Sequence, residues 1–593
     1  AAAEPPAAAA GPPPAPAPAG AAEPLVQEPE ADVTPGPSGG PAAALWRFYQ
    51  RWVEHAPVGG LRLEAWAALC QCFAPTLRRT FAATGVDQAK RLRSIRGNAT
   101  FERPPEVTIK QLVAELKGSL GVRAVYCWHH LLGYWCGLEP LSEEFHDLAV
   151  QRQPFVLAPG IKRVEPSQRW GFFNSMEVGL PFGSDGPQKL YERMHAYLHE
   201  AGIDGLKVDG QASLGQCGEG LGGGPAMCRR FIGALEGSVE RHFGSSQLIV
   251  CMCHANENLL NYARSNVCRA CDDFLPSDPA SQAAHIAHCA FNSVFLGEIA
   301  VPDWDMFHSL HGSAGLHAAA RAVSGGAVYV SDPPGKHDFA LLRRLVTADG
   351  RTLLCDGPAR PTRDCLFCDP QTDGRSALKV FNTNCGGRLG VVAAFNVQGA
   401  RWDRHRREFN MLPDLRRAVS VVVRPCDVEA FRGDGEGAGP AFALHRASQP
   451  DALEVLPGRG AGVALQLPAE GHEVFTLSPM SEVPTASGPV TVAPIGLKDM
   501  LNPGGAVTRL EPHPAGLEVG GLGSGTFLGC ASRCPSACGL LAEGQGGQTG
   551  EDGLALSISQ RPIVGEGASE GLIFEVTVPE SWATTSWTLR LSW

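Results

Sequence analysis

The sequence predicts an α/β fold, in which a parallel sheet or barrel is followed by an all-β domain of the sandwich type. Two observations support this prediction. Between residues 107 and 375, short apolar strands alternate with segments of helical periodicity, as in a chain of βα units. From residue 376 to 593 the helical periods fade, and short strands are separated by Gly/Pro turns.

The first part of the chain differs from both of these regions. Residues 1–44 are almost wholly Ala, Pro, Gly and Glu, a composition that predicts a disordered tail because it buries too little apolar surface. Arg47 is the first basic residue and no compact apolar run precedes it, so we expect neither a secretory signal nor an Arg-rich transit peptide. Residues 45–106 are predicted to be a helical segment, from the spacing of Leu45, Phe48 and Trp52.

The elements of the α/β region follow from their periodicity. The apolar spacing predicts helices at 108–120, 187–201, 226–243, 283–295 and 314–324. Apolar runs predict strands at 124–128, just before Asp209, at 248–252 and at 327–331.

The C-terminal region is predicted to contain strands and Gly-rich loops. The strands lie at 378–382, 389–396, 421–423, 462–467 and 474–477. The Gly-rich segments 432–439 and 519–550 are expected to be loops or disorder.

Composition excludes several classes of function. The chain of 593 residues carries a formal net charge of -11 with interleaved signs, which disfavours nucleic acid and an anionic membrane surface as partners. No apolar run approaches the roughly 20 residues that span a bilayer. The 19 cysteines are odd in number and spread along the chain, so we expect free thiols in a reducing compartment. The pairs at 251–254, 268–271 and 365–368 have spacings that zinc permits, but packed thiols are the favoured interpretation, and we predict no metal and no cofactor.

Two groups of carboxylates carry the chemical prediction. Asp209 ends a predicted strand two residues after Lys207, and Asp272 and Asp273 follow Arg269. Two acids at the ends of buried strands suit a retaining glycosidase, where one attacks the anomeric carbon and the other protonates the leaving oxygen. Each group also has a structural alternative, a salt-bridged turn at Asp209 and a helix N-cap at Asp272.

Longer motifs extend this prediction to a family. In order along the chain they are residues 302–309 (PDWDMFHS), 329–332 (YVSD) with 335–337 (GKH), 360–367 (RPTRDCLF) and 493–497 (APIGL). Together with the segments around Asp209 and Asp272, they resemble raffinose synthases and seed imbibition proteins of glycoside hydrolase family 36, from about residue 88 to the C terminus. Within that group, Arg269-Ala270 and residues 276–279 resemble the seed imbibition branch more than the stachyose synthase branch.

The resemblance implies a (β/α)8 TIM-type barrel with β domains, in which a retaining mechanism moves α-galactosyl groups. The sugars implied are galactinol, sucrose and raffinose, and transfer to a sugar and hydrolysis by water both remain open. By position, Asp209 matches the nucleophile, Asp272 the general acid/base, and Lys207 a lysine that contacts the galactose ring. The further residues implied to line the pocket are Trp128, His129, Arg269, Asp273, Trp304 and Asp305.

The N-terminal part departs from the family pattern. Relatives carry an N-terminal β-sandwich and two first barrel strands, with Trp-Asp and Asp-Asp-Gly-Trp segments that we do not find, so the first strands are expected to be missing or remodelled. Two hypotheses therefore stand: an enzyme whose front is incomplete or remodelled, and a non-catalytic remnant that binds sugar. The oligomeric state stays open, and the expected location is the cytoplasm, with the plastid as the alternative.

Overall fold

The computed structural model describes residues 91–98, 101–103, 107–154, 177–403, 408–433, 439–485, 487–542, 554–563 and 571–593. The predicted tail at 1–44 and most of the predicted helical segment at 45–106 therefore lie outside the described residues. The part of that segment that is described forms turns and isolated bridges rather than a helix, for example the bridge between Leu92 and Leu138.

A parallel sheet forms the centre of the α/β region. The first seven strands are β1 (Tyr126–His130), β2 (Gln151–Pro154), β3 (Glu177–Leu180), β4 (Gly205–Asp209), β5 (Leu248–Val250), β6 (Val267–Arg269) and β7 (Val301–Asp303). Five of them form a sheet in the order β1-β4-β5-β6-β7, and every neighbouring pair is parallel. β2 and β3 form a separate antiparallel hairpin.

The sheet confirms the α/β class, whereas the predicted eight-stranded barrel is not seen in the residues that the structure describes. The sheet has five strands, and β1 and β7 are its two edges. The strand predicted at 327–331 is reduced to one parallel bridge between Phe307 and Val330, just beyond β7. This bridge continues the parallel arrangement by one residue pair.

Helices cover the sheet and connect its strands. They are α1 (Ile109–Gly118), α2 (Gly186–Glu200), α3 (Gly223–Phe243), α4 (Asn256–Leu259), α5 (Pro279–Leu296), α6 (Ala314–Ser324) and α7 (Phe339–Leu342). Short 3-10 helices lie at Glu143–Leu148, Gln211–Cys217, Arg363–Cys365, Pro413–Leu415, Pro425–Asp427, Glu429–Phe431, Pro503–Ala506 and Glu580–Trp582. The main helices lie where the periodicity predicts them, with ends that differ by a few residues.

Local sequence signals explain where two of these helices begin. The side chain of Thr108 accepts a hydrogen bond from the backbone of Gln111, which completes a capping box before α1. Asp278 accepts a hydrogen bond from the backbone of Ala280 and is followed by Pro279, the residue preferred at the first helical position of α5. The start of α5 matters for the site because it follows directly on the loop after β6.

The C-terminal region consists of antiparallel sheets. Its strands are β8 (Arg360–Pro361), β9 (Leu378–Asn384), β10 (Leu389–Phe395), β11 (Ala400–Asp403), β12 (Glu408–Met411), β13 (Val419–Val423), β14 (Phe442–Arg446), β15 (Gln449–Leu456), β16 (Val463–Leu467), β17 (His472–Pro479), β18 (Ser481–Val483), β19 (Val490–Leu497), β20 (Val507–His513), β21 (Gly516–Gly521), β22 (Gly525–Ala531), β23 (Ala537–Ala542), β24 (Leu554–Leu556), β25 (Ile558–Pro562), β26 (Leu572–Val578) and β27 (Trp587–Ser592). The main sheets have the orders β15-β14-β17-β10-β9-β8, β18-β19-β22-β26-β25 and β20-β21-β27-β23-β24.

The two last sheets face each other across one apolar core. Phe527 and Phe574 from one sheet and Trp587 and Leu589 from the other are fully buried in the same cluster. This packing agrees with the predicted sandwich. The prediction of loops or disorder for 519–550 is wrong over 519–521, 525–531 and 537–542, which are strands, because backbone pairing there outweighs the low β propensity of glycine. Residues 543–550 lie outside the described residues.

Among the described residues, no helix has both the length and the apolar character needed to cross a bilayer. The cysteines in this part of the chain are free thiols, and most of them are buried.

Candidate functional site

The candidate site lies at the carboxyl ends of the parallel strands. The register pairs Trp128 with Lys207 and His130 with Asp209, so these four residues lie at matching positions of β1 and β4. Because side chains of a strand alternate between its two faces, Lys207 and Asp209 share one face, and Leu206 and Val208 are buried on the other. The local sequence therefore brings a cation, a carboxylate and an aromatic ring to one end of the sheet.

Asp209 is half-buried and held by two donors. Its Oδ1 accepts a hydrogen bond of 2.6 Å from the backbone N–H of Gly210, and its Oδ2 accepts one of 3.3 Å from Trp128 Nε1. Trp128 is exposed and lies beside Trp135, with 5.8 Å between their ring centroids. Two aromatic rings next to a fixed carboxylate form a surface against which the C–H face of a sugar packs well.

The predicted role of His129 in lining the pocket is not supported by its position. His129 lies on the opposite face of β1, where it is buried against α2, and its Nε2 is 3.3 Å from Nε2 of His195. The physical reason is strand alternation, which turns adjacent residues to opposite faces. The neighbouring His130 faces the site instead, and sequence reasoning missed it.

A buried ion-pair network lies beside the loop after β6. The side chain of Arg269 is almost fully buried, and its Nη2 lies 2.9 Å from Asp273 Oδ1 and 2.9 Å from Asp305 Oδ2. Asp305 Oδ2 also accepts a 2.7 Å hydrogen bond from the N–H of Phe274. Burial alone raises the pKa of Asp305, but the Arg269 guanidinium and the backbone donors outweigh burial and hold this pKa below its usual value. Asp305 therefore anchors Arg269 and the loop that bears Asp272.

Trp304 does not line the site, contrary to the expectation. It is fully buried, and its Nε1 donates a 3.1 Å hydrogen bond to Ser293 Oγ of α5. The positive φ of 66° at Asp305 turns the chain sharply after Trp304. Asp303, which the analysis of the sequence did not select, accepts hydrogen bonds from Tyr329 O–H at 3.0 and 2.8 Å.

Asp272 lies in the loop between β6 and α5. Reduced hydration is the first cause that raises its pKa, followed by the negative charges of Cys271 and Asp273, while nearby imidazoles oppose the rise. The residue nevertheless remains exposed to solvent, which limits the effect of reduced hydration. A carboxyl whose pKa is raised keeps its proton to higher pH, as a general acid requires.

The two acids approach the site from alternate strands. β4 and β6 both pair with β5, so their backbones are about 10 Å apart at the usual interstrand spacing. Between them lies Cys251, whose pKa is raised to about 12 first by burial, with Arg269, Asp209 and Lys207 as nearby charges. Cys251 is a third residue near the site that sequence reasoning missed, although its place directly after β5 was a usable signal.

A cavity of about 170 Å³ lies elsewhere, between α2 and α3. Arginines 229, 230 and 241 line it, and no residue predicted for the site does. The candidate site at the strand ends is therefore separate from this cavity.

The fold and the site define an α/β chain with carboxylates at the carboxyl ends of parallel strands, where α/β enzymes place their catalytic groups. The family model described as "Raffinose synthase or seed imbibition protein Sip1" matches residues 77–550. The chain belongs to this family.

Curated relatives agree with the family match. A probable galactinol–sucrose galactosyltransferase 6 of Arabidopsis thaliana is 39% identical over 455 residues, which cover 76% of this chain and 59% of the relative. A galactinol–sucrose galactosyltransferase of Oryza sativa subsp. japonica is 35% identical, with 83% and 64% covered, and a stachyose synthase of Pisum sativum is 32% identical, with 73% and 51% covered. The chain thus spans between about half and two thirds of the length of these relatives.

Solved structures show weaker likenesses. An α-galactosidase I of Mortierella vinacea is matched with a TM-score of 0.40 and 12% identity, over 72% of this chain and 95% of that one. An α-galactosidase of Saccharomyces cerevisiae is matched with a TM-score of 0.39 and 10% identity, over 70% and 93%.

Proposed function

We propose that this chain transfers α-galactosyl groups by a retaining double displacement, with galactinol as donor and sucrose as acceptor. The observation that carries the proposal is the position of Asp209 and Asp272 at the carboxyl ends of alternate strands of one parallel sheet. Family membership and the names of the curated relatives support the choice of sugars.

In the first step, Asp209 attacks the anomeric carbon of the galactosyl group while Asp272 gives its proton to the leaving oxygen. The two donors on Asp209, Gly210 N–H and Trp128 Nε1, fix the direction of its oxygens. The product of this step is a covalent galactosyl-enzyme ester and free inositol.

In the second step, a hydroxyl of the acceptor sugar attacks the same carbon. Asp272 now accepts the proton of that hydroxyl, and the ester bond to Asp209 breaks. Two inversions give net retention of the α configuration. For this chemistry the two carboxyl groups must lie about 5 to 5.5 Å apart when the sugar is bound.

Three further residues support this step without reacting. Lys207 shares the face of Asp209 and offers a positive charge to the sugar hydroxyls or to the nucleophile. Arg269 and Asp305 hold the loop after β6 in place through the contacts described above. We therefore propose Lys207 as a sugar-contacting residue and Arg269 and Asp305 as positioning residues.

We also propose that the five-stranded sheet is part of a (β/α)8 barrel. The shared parallel direction of all five strands and the bridge between Phe307 and Val330 support this proposal. Determination of the experimental structure of the complete polypeptide tests it, since a sheet with two free edges would contradict it.

Hydrolysis is the second candidate function, and the exposure of Asp272 favours it. An acid/base open to solvent can activate water as readily as a sugar hydroxyl. The two functions share the first step and differ only in the acceptor of the second.

Product analysis separates these possibilities. The protein is incubated with galactinol and sucrose, and the sugars are resolved by chromatography. Raffinose indicates transfer, and free galactose without raffinose indicates hydrolysis. Binding of galactinol without any turnover would contradict the enzymatic proposal and favour the non-catalytic alternative.

Two variants test the roles of the acids. Asp209→Asn is expected to reduce kcat/KM by at least about a thousandfold, equivalent to about 4 kcal/mol. Asp272→Asn should lose about 10²- to 10⁴-fold with galactinol, but much less with a nitrophenyl galactoside, whose leaving group needs no protonation. Equal losses with both substrates would show that Asp272 is structural, and undiminished turnover by Asp209→Asn would exclude it as the nucleophile.

We propose the cytoplasm as the location, with the plastid as the alternative, because the free thiols of the described chain suit a reducing compartment. A fluorescent fusion of the complete protein, imaged with a plastid marker, distinguishes the two.

A further inference from the structure

A compact group of thiols and imidazoles lies behind the loop that bears Asp272. One donor atom each from Cys271, His285 and Cys289 lies within 4.8 Å of the others. His285 and Cys289 are 2% and 0% exposed, and Cys271 is half-buried. His285 and Cys289 are four residues apart on α5 and so share one face of the helix, opposite Cys271 in the loop after β6.

The donor set suits a soft divalent cation. Thiolate sulfur and imidazole nitrogen are the ligands that zinc prefers in proteins. Tetrahedral zinc with Zn–S bonds of about 2.3 Å holds two sulfurs about 3.8 Å apart. One donor atom from each of the three residues lies within 4.8 Å of the others, so the three atoms need to approach one another by about 1 Å or less.

His285 has an unused polar atom at this position. Its Nε2 lies 3.0 Å from the carbonyl oxygen of Trp304, while its Nδ1 is buried without a hydrogen-bond partner. A histidine that donates one N–H to a backbone carbonyl keeps a lone pair on the other nitrogen, an arrangement typical of metal-ligating histidines. A buried polar atom without a partner is destabilising, and a bound cation would offset this.

The charges around the group are compatible with a cation. Arg321 Nη2 lies 3.3 Å from His285 Nε2, so one positive charge already faces the group. The charges of two thiolates and one divalent cation sum to zero. A cation bound to this group therefore adds no net charge next to Arg321. His288, which is half-buried, precedes Cys289 on the same helix.

We propose that Cys271, His285 and Cys289 form a binding site for a thiophilic divalent cation of the zinc type. The site is separate from the sugar chemistry proposed above and does not depend on it. A bound cation would join the loop after β6 to α5 and restrict the movement of Asp272, the residue next to Cys271. The four-residue spacing of His285 and Cys289 on α5 was the sequence signal for this site. The sequence analysis instead paired Cys271 with Cys268.

The test uses the whole protein, stripped with a chelator under reducing conditions and titrated with Zn²⁺ and separately with Co²⁺. We expect one tightly bound Zn²⁺ per chain against a chromophoric competitor, and a thiolate-to-cobalt charge-transfer absorption in the near ultraviolet. Cys271→Ser and His285→Gln should each weaken Zn²⁺ binding by at least about a hundredfold. Because Cys271 is half-buried, we expect Cys271→Ser to fold like the unaltered protein. Circular dichroism checks this expectation.

Cys268→Ser is the matched control. Cys268 is a buried thiol that lies next to another thiol, Cys253, but it does not belong to the group of Cys271, His285 and Cys289. It should leave both Zn²⁺ affinity and the cobalt spectrum unchanged. The proposal is overturned if the protein takes up no Zn²⁺ at micromolar concentration, or if the cobalt complex lacks the charge-transfer band. It is also overturned if Cys271→Ser binds Zn²⁺ as tightly as the unaltered protein.

Discussion

Substitution of Gly210 by alanine would place a methyl group beside the proposed nucleophile, where the structure has no room for it. Gly210 has a φ of 70°, in the left-handed region that glycine adopts without strain. A Cβ built at this position lies 1.8 Å from His130 Nε2 and 2.2 Å from its Cδ2. His130 is 1% exposed and its ring packs against Trp135, with 5.2 Å between the centroids, so it has little freedom to move away.

The size of the effect follows from two contributions. The left-handed conformation destabilises a residue with a Cβ by about 1 to 2 kcal/mol. Overpacking against a buried ring adds about 1 to 3 kcal/mol. The sum, about 2 to 5 kcal/mol, is expected to fall on the local stability of β1 and β4. A shift of Asp209 by about 1 Å would also reduce kcat/KM about a hundredfold.

Hydrogen exchange measured by mass spectrometry suits this prediction, because it reports the free energy of opening for β1 and β4 separately from the rest of a large chain. Gly220→Ala is the matched control, since Gly220 has a φ of 73° and a Cβ there meets no atom within 4 Å. The control should show the conformational contribution alone. His130→Ala combined with Gly210→Ala should recover at least about 1 kcal/mol relative to the sum of the single variants.

Two results would refute the reasoning. If Gly210→Ala destabilises β1 and β4 no more than Gly220→Ala destabilises its own loop, the steric contribution is absent. If the double variant shows no recovery, His130 is not the group that the methyl meets.

Two further predictions concern buried ionisable side chains. Asp305→Asn leaves the charge of Arg269 without its buried partner and should lower the free energy of unfolding, measured by chemical denaturation, by about 3 to 5 kcal/mol. The side chain of Asp273 is 72% exposed, so Asp273→Asn should lower this free energy by less than about 1 kcal/mol. A similar small change in both variants would contradict the assignment of Asp305 as the anchor. Burial lowers the pKa of His129 to about 4 and that of His130 to about 3, so both rings stay neutral in the fold while the unfolded chain takes up protons below pH 6.5. The contribution of the two rings to stability is complete above pH 6.5 and is lost as the pH falls toward 4, and the loss at pH 5 is about 2 kcal/mol per ring. His129→Gln should make the free energy of unfolding less dependent on pH in this range. An unchanged pH dependence would refute the assignment.

The sequence determined the order and type of the main elements. Apolar periodicity and caps such as Thr108 and Asp278 depend on neighbouring residues, so they are readable without the fold. The same holds for the position of Asp209 after Lys207, because strand alternation alone puts the two side chains on one face. Family membership was also accessible, since the ordered motifs of the chain are properties of sequence.

Tertiary structure decided which of the candidate residues face the site. The sequence could not show whether His129 or His130 faces the site, because this depends on which face of β1 packs against α2, where His129 lies beside His195. The burial of Trp304 follows from the turn at Asp305 and from the packing of α5, and the role of Asp305 follows from a guanidinium that belongs to another strand. The group of Cys271, His285 and Cys289 likewise forms only when the loop after β6 meets α5. The periodicity of neighbouring residues determines which side chains share a face of each helix or strand. Contacts between elements depend on how those faces pack together, and only the folded chain specifies this packing.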